Sequence, residues 1–200
     1  MGDSRNIFSG QSQQVSSDDK ERMLSQKGLV IWMTGYSGSG KTTLAYGLEK
    51  KLFDTGILTA VLDGDILRQG LTSDLGFSHE ARAENVRRTA ELAKQLATCG
   101  VVVICSLITP TNALRELAAG ILSKQRFILY HIATPLDICE KRDVKGHYAK
   151  ARAGQIKEFT GVSNPFEEPQ NAQYTINTEG QSVGESLQAM FDHLFPLIKI

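Results

Sequence analysis

Apolar residues along this chain fall into short unbroken runs that alternate with segments of helical periodicity. Leu29-Val30-Ile31-Trp32-Met33 is continuous apolar sequence, the pattern of a strand buried on both faces. Glycines at 35, 38 and 40 follow, and then Leu44, Ala45, Leu48 and Leu52 recur at helical spacing, so strand, glycine-rich turn and helix come in succession. The rhythm repeats. Strands are expected at Leu58–Leu62, Val101–Cys105, Phe127–Ala133 and Tyr174–Asn177, and amphipathic helices at Glu80–Thr98 and Asn112–Leu122. Thr134-Pro135-Leu136-Asp137 reads as a helix start with Thr134 as cap and Pro135 first in the helix. Ser182-Val183-Gly184-Glu185 is a capping box that opens a last helix. Repeated strand–helix units imply an α/β domain, a parallel sheet with helices on both faces, whose ligands sit at the carboxyl ends of the strands.

Two stretches break the pattern. Residues 1–27 form a polar arm with a short helix expected in Ser17–Gln26, leaving 28–200 as the folded domain. Between Lys141 and Pro169 the chain turns basic, with Arg142, Lys145, Lys150, Arg152 and Lys157 interleaved with Gly146, Gly154 and Gly161. Such an insert is either a solvated helix pair or a lid, about 141–169, that closes over anionic ligands.

Composition narrows the field. With 200 residues and 41% hydrophobic content the chain fits one domain with a substantial core. Lys+Arg 22 balance Asp+Glu 22, so neither nucleic acid nor an acidic membrane is an expected partner and any useful positive charge is local. No apolar run approaches the ~20 residues that span a bilayer, and Met1–Lys27 lacks the apolar stretch of a signal peptide, so a cytoplasmic location is expected. Cys99, Cys105 and Cys139 are an odd, widely spaced set that suits buried free thiols in a reducing compartment better than disulfides or a zinc site.

The chemistry begins at Gly35-Tyr36-Ser37-Gly38-Ser39-Gly40-Lys41-Thr42, which matches G-x-x-x-x-G-K-[ST], the P-loop, between an expected strand and an expected helix. Its glycines let successive N–H groups point at phosphate oxygens, Lys41 adds a point charge, and Thr42 offers a hydroxyl to Mg²⁺. The nucleotide cradle is therefore assigned to Gly35, Ser37, Gly38, Ser39, Gly40, Lys41, Thr42 and Thr43, with ATP and Mg²⁺ as the implied pair. No N-K-x-D guanine-reading motif follows, and a short chain with a basic insert fits a small-molecule kinase with a P-loop NTPase fold. In Asp63-Gly64-Asp65 two carboxylates stand just past the second strand; Asp65 is the favoured one to orient an acceptor hydroxyl or help hold Mg²⁺. Arg82 and Asn85 share a helix face and, with Arg68, suit an anion. Phe77, between glycine and Ser-His, is placed either for the core or to stack on a base.

In order along the chain stand the P-loop, Leu62-Asp-Gly-Asp-Ile-Leu-Arg-Gln-Gly-Leu71, Asp74-Leu-Gly-Phe-Ser78, Arg82-Ala-Glu-Asn-Val-Arg-Arg88 and Ile108-Thr-Pro110. Cys139-Glu-Lys-Arg-Asp-Val-Lys-Gly146, Lys150-Ala-Arg-Ala-Gly154, Phe159-Thr-Gly161 and Pro165-Phe-Glu-Glu-Pro169 complete the set. From about Gly28 onward this resembles the adenylyl-sulfate kinase (APS kinase) family. The resemblance implies ATP-dependent phosphorylation of the 3′-hydroxyl of adenosine 5′-phosphosulfate, giving 3′-phosphoadenosine 5′-phosphosulfate and ADP, and a homodimer. It also implies that Asp65 is the acceptor-side carboxylate, that Arg68, Arg82 and Asn85 grip the phosphosulfate and ribose, and that Phe77 and Phe159 sandwich the substrate adenine. Ile108 would line the acceptor site, Lys145 would reach the phosphates from the lid, and Arg142 would lie near the ATP base.

Two positions depart from the family pattern. Ile66 follows Asp65 where Asn is common, and Thr109 stands where many members carry a serine proposed to be phosphorylated during turnover. Thr109 keeps the hydroxyl and stays a catalytic candidate, although direct in-line transfer is favoured because a β-branched hydroxyl is a crowded nucleophile. Ile66 keeps open a kinase of another nucleotide-linked anion such as a cytidine diphosphoramidate. A nucleotide sensor without turnover is a third reading, opposed by the presence of Lys41, Thr42 and Asp65 together.

Overall fold

The computed structural model describes residues 15–200. Five strands, β1 (Leu29–Thr34), β2 (Thr59–Asp63), β3 (Val102–Ser106), β4 (Phe127–Ile132) and β5 (Tyr174–Ile176), form one sheet in the order β2-β3-β1-β4-β5. Every pairing is parallel, with Ile31 opposite Ile104 on one side and Ile128 on the other. Along β1 the side chains alternate: Leu29, Ile31 and Met33 enter one core layer, Val30 and Trp32 the other. This two-sided burial is what an unbroken apolar run encodes.

The first layer is closed by α2 (Lys41–Phe53) and α8 (Val183–Ile198), the second by α4 (His79–Thr98) and α5 (Asn112–Leu122). The short α3 (Gly64–Leu67) directly follows β2, capped by Asp63, while α6 (Leu136–Arg142) and α7 (His147–Arg152) carry the basic insert. Ser182 and Glu185 form the expected capping box on α8. Thr134 does not cap α6; Pro135 occupies the cap position, and the Thr134 hydroxyl turns inward to donate to Ser39 O at 2.9 Å. The demand of the P-loop for a fixed carbonyl outweighs local capping here. Of the cysteines, Cys105 and Cys139 are buried free thiols, but Cys99, at the solvent-facing end of α4, is exposed.

The described end of the arm belongs to the fold. α1 (Ser17–Leu24) lies across the amino-terminal edge of the sheet, where Arg126 donates to Glu21 Oε1 at 2.6 Å, Ser17 Oγ at 2.9 Å, Gly28 O at 2.8 Å and Ala97 O at 3.1 Å. Buried Gln26 adds bonds to Leu58 and to Gly100 O. Because one guanidinium satisfies four acceptors on three segments, Arg126→Ala should cost about 2 kcal/mol and lower the melting midpoint by about 4–8 °C. An unchanged melt would mean that α1 rests on the domain without stabilising it.

Candidate active site

The cavity lies where the sheet order puts it, at the carboxyl ends of the strands, and holds about 520 Å³, the size of a small-molecule site. Its middle is the P-loop between β1 and α2. Gly35 passes so near β4 that a Cβ would stand 2.6 Å from Ile132 O, and Gly38, at φ +76°, would bring one to 3.1 Å from Cys139 O. Only a chain without side chains there fits this turn. The ammonium of Lys41 is buried and donates to Tyr36 O at 2.7 Å and Gly35 O at 2.9 Å. Burial pushes its pKa down to about 8. Ser39 O is held from behind by Thr134 and by Thr178, the latter at 3.4 Å, which orients the following peptide of the loop.

Toward β4 and β5 the wall is made by Arg142, Thr178, Gln181, Val183 and Ser186. Arg142 donates to Thr178 Oγ1 at 3.3 Å and reaches Gly38 O at 3.5 Å. Toward β2 and β3 the wall is made by Asp65, Arg68, Phe77, Arg82, Asn85 and the turn Ile108–Pro110. The sequence points to each of those five side chains and to Ile108, and the parallel topology brings them into one half of the cavity.

Details of that half differ from the expectation. It is Asp63, the last residue of β2, that meets the P-loop: its buried carboxylate accepts from Thr42 Oγ1 at 2.8 Å and from Asp65 N at 2.9 Å. The Asp65 carboxylate instead forms an ion pair with Lys145 of the insert. Phe77 is 54% exposed, so it is no core residue; its ring lies 4.2 Å from the Arg68 guanidinium. Arg68 also donates to Gly76 O at 2.9 Å, and Arg82 donates to Phe77 O at 2.9 Å and Glu158 O at 2.8 Å, so both arginines shape this wall as well as charging it. Asn85 is buried, and its Oδ1 is without a partner among the described residues, a vacant acceptor in the wall.

One expected site residue is placed elsewhere, and a second lines the cavity in another role. Phe159 is buried in a small cluster with Cys139, Tyr148 and Ala151 that forms the insert's own core, and it does not line the cavity. Thr109 does line it; its hydroxyl is buried and accepts the Trp32 indole N–H at 2.9 Å, which ties the turn to β1. Its φ of +42° is a strained left-handed conformation for a β-branched residue, worth ~1–3 kcal/mol, and persists because surrounding bonds hold it. The basic insert itself overhangs the cavity, fixed by Tyr148 Oη to Ser37 O at 3.0 Å and by Lys145 to Asp65. Arg142, Val144 and Lys145 of the insert line the cavity.

A model of the family described as adenylylsulphate kinase matches residues 27–177. The chain belongs to that family. The adenylyl-sulfate kinase of Phocaeicola vulgatus is 45% identical over 96% of this chain and 95% of its own length. The Mycobacterium tuberculosis APS kinase CysC, solved in complex with AMPPNP and APS, is 44% identical with a TM-score of 0.82, covering 84% of this chain and 98% of that one. The shikimate kinase of Acinetobacter baumannii, at 17% identity and a TM-score of 0.53 over 88% of this chain and 97% of its own, shares the fold alone. Among the described residues no helix is long and apolar enough to cross a membrane.

Proposed function

We propose that this member of the APS kinase family transfers the γ-phosphoryl group of ATP to the 3′-hydroxyl of adenosine 5′-phosphosulfate, yielding 3′-phosphoadenosine 5′-phosphosulfate and ADP. The observation that carries the reading is a single cavity with a phosphate cradle at its centre and a half lined by Asp65, Arg68, Phe77, Arg82 and Asn85, in a chain whose relatives bear this activity in their names. Phosphoryl transfer requires positioning and charge stabilisation more than covalent chemistry. The backbone of Ser37–Thr43 and the Lys41 ammonium bind the donor's phosphates; Arg142 and Val183 flank its base. Arg68 and Arg82 attract the phosphosulfate, Asn85 takes a hydrogen bond from the ribose or base, and Phe77 stacks on the adenine. Asp65 accepts the proton of the acceptor hydroxyl. Lid residues exclude water, which favours transfer to an alcohol over hydrolysis.

Mg²⁺ suits the residues present. The Thr42 hydroxyl, the Asp63 carboxylate and the Ser106 hydroxyl, 3.5 Å from that of Thr42, are hard oxygen donors gathered at the first turn of α2. Thr42 and Asp63 would hold the ion, with Asp65 on the acceptor side of it, and a bound ion neutralises charge developing on the phosphates. Homodimeric assembly and a cytoplasmic location belong to the same proposal and rest on the family resemblance alone.

Lys41 makes a pH prediction. An ammonium holds phosphate oxygens only when protonated, so nucleotide affinity should be level below pH 8 and fall as pH rises through the pKa of about 8, toward about tenfold per unit. The KM for ATP measured across this range checks it; a flat profile well above pH 9 would show that Lys41 stays charged.

Radiolabelled ATP offered with a panel of acceptors tests the function. Label should pass to adenosine 5′-phosphosulfate and not to a cytidine diphosphoramidate. Transfer to the cytidine compound instead, release of label only as phosphate, or binding without turnover would each overturn the proposal.

A further inference from the structure

We infer that Arg115, on α5 and outside the P-loop and acceptor residues above, is a positioning residue for acceptor binding, its guanidinium locking the Thr109 turn to the exit of the lid. Arg115 is 3% exposed. Its Nη1 donates to Thr109 O at 2.8 Å, and its Nη2 to Asn112 Oδ1 at 2.7 Å and Glu167 O at 2.6 Å. Among the described residues no carboxylate forms an ion pair with it, and Phe166 lies 5.6 Å away across its face. A buried charge whose hydrogen bonds all go to neutral acceptors, with the Glu167 and Glu116 carboxylates acting on it only from beyond ion-pair distance, is a poor stabilising device, because desolvation offsets most of what the contacts contribute. The geometry it imposes is a better account of its presence.

That geometry joins three parts of the site. Thr109 is the left-handed residue of the turn after β3, and the turn lines the acceptor half of the cavity. Glu167 lies where the chain leaves the lid; its N–H donates to Pro110 O at 2.8 Å and its carboxylate accepts from Asn112 N at 2.6 Å. Phe166 beside it packs on Tyr36 of the P-loop with ring centroids 4.7 Å apart. The planar fork of a guanidinium fixes two directions at once, which a lysine ammonium at the same place does not. Releasing it lets the Thr109 turn and the lid exit shift relative to each other, and displacement on the order of 1 Å near reacting groups costs up to ~100-fold in rate. The β2–β3 half of the cavity should feel this more than the cradle, which Thr134 and Thr178 hold from the opposite side.

The inference rests on assigning that half to the acceptor. Arg115→Lys tests it, with KM measured for both substrates and with the emission of Trp32, the chain's one tryptophan, whose indole donates to Thr109. The KM for adenosine 5′-phosphosulfate should rise about tenfold or more, that for ATP should stay within about twofold, and Trp32 emission should change in the folded protein. Both KM values unmoved beside a lowered melting midpoint, equal rises in both, or Trp32 emission identical to that of the unaltered chain would overturn it. Asn112→Ala, which removes one rim acceptor, should shift the acceptor KM the same way by about two- to threefold and serves if Arg115→Lys fails to fold. Should the unaltered chain not phosphorylate adenosine 5′-phosphosulfate, the functional proposal fails separately, and Trp32 emission still decides the role of Arg115.

Discussion

Asp65→Ala is expected to lower kcat about 10²–10⁴-fold while the KM for ATP stays within about twofold. The substitution removes a carboxylate that lines the acceptor half of the cavity and leaves the P-loop intact, since what Asp65 contributes to the fold is its N–H to Asp63 Oδ1, and alanine keeps that. Its side-chain partner, Lys145, lies on the basic insert and the pair is exposed, so stability should barely change. Steady-state kinetics with a fixed saturating acceptor decides the matter. A kcat within a few-fold of the unaltered enzyme would mean that positioning and charge suffice without a base, and the proton would have to leave by another route.

Asp63→Asn should be comparably damaging for a different reason. Asp63 is buried, and both of its carboxylate oxygens are engaged: Oδ2 accepts from Thr42 Oγ1 at 2.8 Å and Oδ1 caps α3 through Asp65 N. Asparagine preserves shape but loses the negative charge that a divalent cation at Thr42 requires. The Mg²⁺ concentration for half-maximal activity should rise about 10–100-fold, the usual cost of losing a partner of a metal site, and kcat should fall with it. Calorimetric titration of the nucleotide with and without Mg²⁺ separates this from misfolding: binding of the metal-free nucleotide should be nearly unchanged. If the Mg²⁺ dependence does not move, the cation is held elsewhere and Asp63 serves only to cap α3.

These two aspartates also mark how far the sequence can be read. Their presence at a strand end is legible, as are the P-loop and the basic insert, because each is written in consecutive residues. The division of labour between them is not: read in one dimension, Asp65 is favoured both for the acceptor hydroxyl and for Mg²⁺, but Asp63 is the residue that β2 carries to within a hydrogen bond of Thr42. Phe159 shows the same limit. The family resemblance implies an adenine contact for it, yet it is buried with Tyr148 and Cys139 as the core of the insert. Thr109 stands in the expected turn, but its hydroxyl is bonded to Trp32, which precedes it by 77 positions and whose indole no local pattern announces as a partner.

What the sequence determined by itself was every regularity of short range: unbroken apolar runs specify strands covered on both faces, 3.6-residue periodicity specifies the helices between them, and the glycine spacing specifies a turn that cradles phosphate. Those local rules fix the class of fold, and through it the end of the sheet where ligands bind. Tertiary structure alone decided which charges meet, as with Lys145 on Asp65 across the cavity and Arg115 on the carbonyls of Thr109 and Glu167. The reason is geometric. Parallel crossovers return each strand to the same edge after a helix, so residues far apart in the chain converge there, and their pairing depends on strand order and register, which no periodicity within one segment records.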